Sequence, residues 1–260
     1  MPLNIRTYHE LNEPDRSGLA QQIAVQRRRV AGRLAAVRRV VAVMSGKGGV
    51  GKSFVTAGLA RALARAGRVT GVLDADFNGP TAARLLEARE ERLRIEGDAV
   101  LPAAGTDGVK LISMDQLLED GRPLAFRGPE AESYVWRGTL EAAALREFLG
   151  DVAWGALDHL LIDLPPGMQR FVELAELLPV PPAVLTVTIP TPESRDAVRR
   201  AMRFAAERGS TLIGIIENMA GGAFAGTAGD DLAAEFGIPV LASIPWHPAP
   251  ATWEALARRL

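Results

Sequence analysis

The chemistry this chain advertises is concentrated in one short stretch, Ser45-Gly46-Lys47-Gly48-Gly49-Val50-Gly51-Lys52-Ser53. Its spacing is Gly-x-x-x-x-Gly-Lys-Ser, the phosphate-binding P-loop pattern. Glycines at 48, 49 and 51 permit torsions and close approaches that a Cβ would hinder. Successive N–H groups from Gly46 to Phe54 can then turn inward onto phosphate oxygens. Lys52 is placed to reach the β- and γ-phosphates, and the Ser53 hydroxyl to ligate Mg²⁺. Phe54 stands where many such loops carry a second hydroxyl, so one α-phosphate contact is missing while the backbone donor stays. The chain has 3 lysines against 27 arginines, and two of those lysines, Lys47 and Lys52, lie in this loop. Lys is a compact point charge where Arg is a broad planar fork. An Arg-rich chain with Lys at both positions marks two sites that need a narrow ammonium.

Further polar residues fall at the ends of apolar runs. Leu160-Leu161-Ile162 ends in Asp163, a carboxylate that in P-loop enzymes supports Mg²⁺ directly or through water. Pro165-Pro166-Gly167 follows, a rigid exit that brings the Gly167 N–H toward a γ-phosphate. Val69-Thr70-Gly71-Val72-Leu73 ends in Asp74-Ala75-Asp76. At two residues' spacing these carboxylates are expected on one strand face at the ligand-binding edge. Asp76 is the candidate for positioning the attacking water, and is grouped with Ser53 and Asp163 as a Mg²⁺ group. Asn218 ends the run Leu212–Glu217, and its amide can both donate to and accept from a purine edge.

These residues need elements to position them. Val40–Met44 reads as a buried parallel strand, and Phe54–Ala66 as a helix whose N-terminus favours a bound anion. Strands are also expected at 69–74, in short pieces over 93–114 (strongest at 111–114), and at 159–163, 183–189, 211–217 and 240–244. Helices are expected at 82–88, 140–149, 171–178, 193–208, 230–236 and 251–260. This alternation predicts a doubly wound, mostly parallel sheet with helices on both faces, the P-loop NTPase architecture. Ahead of it, residues 1–37 read as an N-terminal arm followed by a basic helix over Ser17–Val37, and 38–260 as the ATPase domain. The basic helix carries Arg27, Arg28, Arg29 and Arg33. It reads either as a surface for anionic lipid, nucleic acid or an acidic partner, or as a helix packed on the domain with solvated arginines.

Of the 260 residues, 48% are hydrophobic, enough for a core, and a net charge of −1 with a pI near 6.4 gives no overall nucleic-acid bias. No apolar run is long enough to span a membrane. The start, MPLNIRTYHELNEPDR, is unlike a secretory signal, so a cytoplasmic location is expected. The chain has no cysteine, which excludes disulfides, thiolate metal sites and cysteine catalysis. His9, His159 and His247 are too scattered to read as a metal site.

Gly46–Ser53, with its early Lys47, resembles the deviant Walker A loop of the MinD/ParA/nitrogenase-iron-protein class. Four more stretches resemble the Mrp/ApbC branch, the scaffold ATPases of iron–sulfur cluster delivery: Leu73–Pro80, Trp136-Arg137-Gly138, Leu161–Gly167 and Ile216-Glu217-Asn218-Met219. The resemblance covers about residues 38–247. It implies ATP bound between two subunits of a homodimer, with Lys47 reaching the partner's phosphates. It also implies Lys52 and Ser53 on the phosphates and Mg²⁺ of their own subunit, Asp76 on the water, Asp163 supporting Mg²⁺ and Asn218 on adenine.

The chain departs from that branch in three places. The branch carries Cys-x-x-Cys after its Glu-Asn-Met stretch, and here Ala220–Gly229 has none, so no iron–sulfur cluster is expected, such clusters being ordinarily held by thiolates. Thr-Gly-Asp after Pro-Pro-Gly is replaced by Met168-Gln169-Arg170, and a common Tyr by Asn78. The leading expectation is therefore a slow, homodimeric switch ATPase acting on an unidentified client protein. The alternative is a MinD/ParA-like positioning ATPase that binds membrane or DNA in its ATP state. Its candidate surfaces are the basic helix and a terminal stripe of Trp253, Leu256 and Leu260.

Overall fold

Alternating strands and helices build one eight-stranded sheet clad on both faces. The computed structural model describes residues 19–117, 133–221, 224 and 226–260. The strands are β1 (Val37–Ser45), β2 (Thr70–Asp74), β5 (Ala103–Ala104), β6 (Lys110–Ile112), β7 (Leu157–Asp163), β8 (Ala183–Thr188), β9 (Leu212–Ala220) and β10 (Val240–Pro245). They lie in the order β10-β9-β8-β1-β7-β2-β6-β5. Only β5, at the edge, runs antiparallel to its neighbour. A separate hairpin pairs β3 (Arg94–Glu96) with β4 (Ala99–Leu101).

Side-chain alternation along β1 shows why both faces must be covered. Val41 and Val43 point to one side, where they pack with Val55, Leu59 and Leu63 of α2 (Lys52–Arg65) and Leu256 of α8 (Pro250–Ala257). Ala42 and Met44 point to the other. There they join Val30 and Leu34 at the end of α1 (Leu19–Arg33), Leu145 and Leu149 of α4 (Ser133–Gly150) and Phe171 and Leu174 of α5 (Gln169–Leu177). α3 (Ala82–Leu85), α6 (Pro192–Glu207) and α7 (Ala228–Phe236) complete the cladding.

Several expected boundaries move, each for a local reason. α1 stops at Arg33 and β1 begins at Val37, three residues ahead of the expected strand, because Val37 pairs with Leu157 of β7. α2 begins at Lys52, since Gly51 in the left-handed region (φ 76°) is its N-cap, so Lys52 and Ser53 occupy the first helical turn. β6 ends at Ile112 because Ser113 caps a short 3₁₀ turn at Met114–Gln116 in a capping box. β9 runs past Asn218 to Ala220, held by the pairings Ile244↔Asn218 and Pro245↔Ala220. α4 starts at Ser133, well ahead of the expected residue 140, and takes in the backbone of Trp136-Arg137-Gly138. The side chains of that motif, the arm over residues 1–18, and residues 222, 223 and 225 of the segment where the branch has cysteines lie outside the described residues.

The terminal stripe is engaged within the chain, and the basic helix is engaged at its end while Arg27 and Arg28 stay exposed. Arg29 and Arg33 donate to the carbonyl of Gly150 at 3.2 and 3.3 Å, placing cations at the negative end of α4. In α8, Leu256 is fully buried, and Trp253 meets the Phe54 ring edge-on with centroids 5.5 Å apart. Trp253 also lies flat against Gly58, where an added Cβ would come within 2.4 Å of its ring, whereas a Cβ at Gly32 would meet nothing within 4 Å. Gly58→Ala should therefore cost about 1–3 kcal/mol through overpacking, and Gly32→Ala, near the end of α1, should be neutral or stabilising. Thermal unfolding should show a fall of several degrees for the first only. Equal shifts for the two variants would contradict this packing of α2 on α8.

Candidate functional site

The cleft at the carboxyl edge of the sheet follows from strand register. Val43 of β1 pairs with Asp163 of β7, and Asp163 with Asp74 of β2, so β7 and β2 finish at one level and β1 runs two residues beyond them to Ser45. The loop leaving β1 then wraps the start of α2. Gly49 (φ 79°) and Gly51 (φ 76°) both take left-handed torsions, as the sequence pattern requires. Gly46 has a different reason to be glycine. A Cβ there would sit 2.3 Å from the Ala197 carbonyl carbon, so the loop lies against the backbone of α6. The resulting cleft, of about 570 Å³, is lined by Lys47–Phe54 together with Asp76, Thr81, Arg84, Leu85 and Pro166.

Asp163 organises the floor. It is fully buried; its Oδ1 is in direct contact with the Lys52 ammonium, and its Oδ2 accepts from the Ser53 hydroxyl. The Thr56 hydroxyl lies 3.1 Å from Asp163 Oδ1 and 3.0 Å from the Lys52 carbonyl. A buried ion pair persists only when its remaining lone pairs are satisfied, and Ser53 and Thr56 meet that need.

The two carboxylates of the β2 end separate rather than share a face. The strand stops at Asp74, so the alternation does not reach Asp76. Asp74 is fully buried and receives the N–H groups of Thr81 and Ala82 at 3.0 Å and the Ser113 hydroxyl at 3.1 Å. Burial first, and then the neighbouring Asp163, push its carboxyl up to about 7. Asp74 is thus a brace for the loop that carries Asp76, and Asp76 itself lines the cleft, its Oδ1 accepting from the Gly79 N–H at 3.2 Å.

The remaining expected residues fall around this floor. Lys47 sits half-buried at the cleft wall, and among the described residues no carboxylate is paired with its ammonium. Asn218 is buried, and its amide donates to the Val50 carbonyl at 2.9 Å, so it anchors the loop from β9. Its fit is tight: a Cβ on Gly51 would lie 2.3 Å from the Asn218 amide nitrogen. Gly167 takes a positive φ of 99° after Pro165-Pro166. Arg84 was not anticipated. It lines the cleft from α3 and forks onto Asp115 at 2.9 and 3.2 Å. An arginine one turn beyond the Asp76 loop was the only signal for it.

Of the residues expected to hold Mg²⁺, Ser53 and Asp76 line the cleft, while Asp163 is fully buried behind Ser53 with its oxygens on Lys52, Ser53 and Thr56. One or two carboxylates plus phosphate oxygens is the usual Mg²⁺ environment. Among the described residues no group of three or more His, Cys, Asp or Glu could hold a metal alone. His159 is buried on β7, its pKa lowered by burial and Arg39, and His9 lies outside the described residues.

Comparison with known proteins agrees with this fold. The family model described as ParA, NUBPL iron-transfer P-loop NTPase, matches residues 36–256. The iron–sulfur cluster carrier protein of Saccharolobus solfataricus is 35% identical over 241 residues, covering 88% of this chain and 78% of the relative. The human cytosolic Fe-S cluster assembly factor NUBP2 is 37% identical over 233 residues, covering 84% and 83%. Among solved structures, a nucleotide-binding protein from Archaeoglobus fulgidus in complex with ADP superposes with a TM-score of 0.71 at 31% identity, covering 90% of this chain and 92% of that one. The Aquifex aeolicus cell-division protein MinD, at 20% identity and a TM-score of 0.58, shares the fold.

Replacing Asp163 by Asn should leave the Lys52 charge buried without its partner. We expect a loss of about 3 kcal/mol in stability, read as a lower Tm without nucleotide. The same variant should bind ADP equally in Mg²⁺ and in EDTA. A metal-dependent gain in ADP affinity equal to that of the unmodified protein would remove Asp163 from the metal site.

Proposed function

Since the chain belongs to the ParA-type family of NUBPL iron-transfer P-loop NTPases, we propose that it is a homodimeric ATPase switch that grips and releases a partner protein and carries no iron–sulfur cluster of its own. One observation carries this reading: a cleft lined by the P-loop residues Lys47–Phe54 in a chain with no cysteine. Clusters are ordinarily held by thiolates, so the family's cargo chemistry has no thiolate ligand here, while the glycine-rich loop, Lys52 and Ser53 line a cleft suited to phosphate.

The cleft supports hydrolysis of ATP as follows. The backbone N–H groups of the loop and the head of α2 receive the phosphates, and Lys52 meets the β- and γ-phosphates. Ser53, Asp163 and Asp76 would hold Mg²⁺, whose charge neutralises the phosphate oxygens when it is bound. Asp76, on a loop braced by Asp74, orients the attacking water. Asn218, which already holds the loop through Val50, offers the rest of its amide to adenine. The ammonium of Lys47, without a carboxylate partner among the described residues, is free to cross to the nucleotide of a second copy. A cytoplasmic setting accords with the cytosolic relatives.

We rank membrane or DNA positioning below this reading. The terminal stripe that would anchor it is turned onto α2 through Trp253 and Leu256, and Arg29 and Arg33 are spent on the end of α4.

The test is turnover with Lys47 changed. Lys47→Ala should bind ADP within about threefold of the unmodified protein and hydrolyse ATP about 100-fold more slowly, the scale of losing one preorganised donor at the transition state. Unchanged turnover would end the cross-subunit role, and no turnover above background in the unmodified protein would end the ATPase reading.

A further inference from the structure

Two departures from the Mrp/ApbC pattern, Asn78 and Met168-Gln169-Arg170, lie far apart in sequence and meet in space on a single carboxylate. Glu141 of α4 gives one oxygen to each. Its Oε1 accepts from the Asn78 amide at 2.9 Å, and its Oε2 is in direct contact with the Arg170 guanidinium. Arg170 is buried, its side chain only 7% exposed, with Glu141 at 12%. A second branch of its fork meets Glu173 one turn on. The face of the guanidinium lies over the Phe77 ring, 5.1 Å from its centroid. Phe77 stands between Asp76 and Asn78 and is itself buried.

Three consecutive residues therefore divide their tasks. Asp76 faces the cleft, Phe77 packs under Arg170, and Asn78 is bonded to Glu141. On the other side, Arg170 lies three residues beyond Gly167, in the first turn of α5. The loop carrying the water-positioning carboxylate and the loop that approaches the γ-phosphate are thus tied through one partly buried side chain on a third element. Discrete hydrogen-bonded networks of this kind, with each partner on a separate segment, couple the segments they join.

We propose that Glu141 is a positioning residue for hydrolysis, making the Asp76 loop and the Gly167 loop respond to nucleotide as one unit. The inference rests on the ATPase reading above for its kinetic consequence. Its structural consequence, coupled response of the two loops, is measurable by nucleotide binding alone.

The variant is Glu141→Gln, which keeps the shape and the acceptor for Asn78 while removing the charge that holds Arg170. It should lower kcat about tenfold, a common size for coupling between sites, with KM and ADP affinity within twofold of the unmodified protein. Because this removes one of the two carboxylates that meet the buried guanidinium, the double variant Glu141→Gln/Arg170→Met serves as the control for folding. Removing both members of a buried pair restores stability more readily than removing one, so it should recover Tm but not kcat. Amide hydrogen exchange with Mg²⁺ and a non-hydrolysable ATP analogue gives the reading independent of turnover. In the unmodified protein both 76–81 and 166–171 should gain protection together, whereas in both variants 76–81 should gain it and 166–171 should not. Loss of Tm with unchanged kcat and joint protection of both segments in the variants would assign Glu141 a structural role only and overturn the proposal. If the unmodified protein does not turn over ATP, the exchange result alone decides it.

Discussion

The buried carboxylate of Asp163 is the constraint around which the site is built. It ends β7 between β1 and β2, and from there it holds Lys52, Ser53 and Thr56 at the head of α2. A charge in that position is tolerable only because it is paired and its oxygens are saturated. The same requirement fixes the first turn of α2 against the sheet. Level with Asp163, Asp74 is held toward its neutral form by its own burial first and by Asp163 second, and it is a structural acceptor for the loop above it. The cleft geometry is thus the outcome of accommodating acids on adjacent strands.

Everything else places that strand edge where it can work. The alternation of Val41 and Val43 with Ala42 and Met44 requires cover on both faces, and cover on both faces leaves the carboxyl edge as the open one. α6 comes so close that Gly46 must lack a side chain, and Asn218 reaches in from β9 to hold Val50. From α4, Glu141 accepts from Asn78 and meets Arg170, so it bonds to residues that follow Asp76 and Gly167 in the chain.

Much of this was legible in the sequence because it is local. Glycine torsions, the Lys-Ser pair and the acid at a strand end are properties of short stretches, and the apolar periodicity placed the main strands and most helices to within a few residues, α4 with its start at Ser133 being the exception. What escaped were facts of register and packing. That β2 stops at Asp74, separating Asp74 from Asp76, depends on the hydrogen bonds Thr81, Ala82 and Ser113 make to it. That Arg84 lines the cleft depends on where α3 starts. Asn218 was readable as an amide at a strand end, but its grip on Val50 needs β8 and β1 between the two. The meeting of Asn78 and Arg170 on Glu141 is invisible to any spacing rule, since three elements contribute to it.

The central claim is that a nucleotide engine of this family operates here without a thiolate cargo site. Its most direct test is to incubate the protein anaerobically with iron and sulfide, desalt it, and measure bound iron, bound sulfide and ATP turnover on the same sample. The account predicts iron and sulfide at background with turnover equal to that of untreated protein. Retention of iron and sulfide in fixed proportion to the polypeptide, with the visible absorption of a cluster, would contradict it.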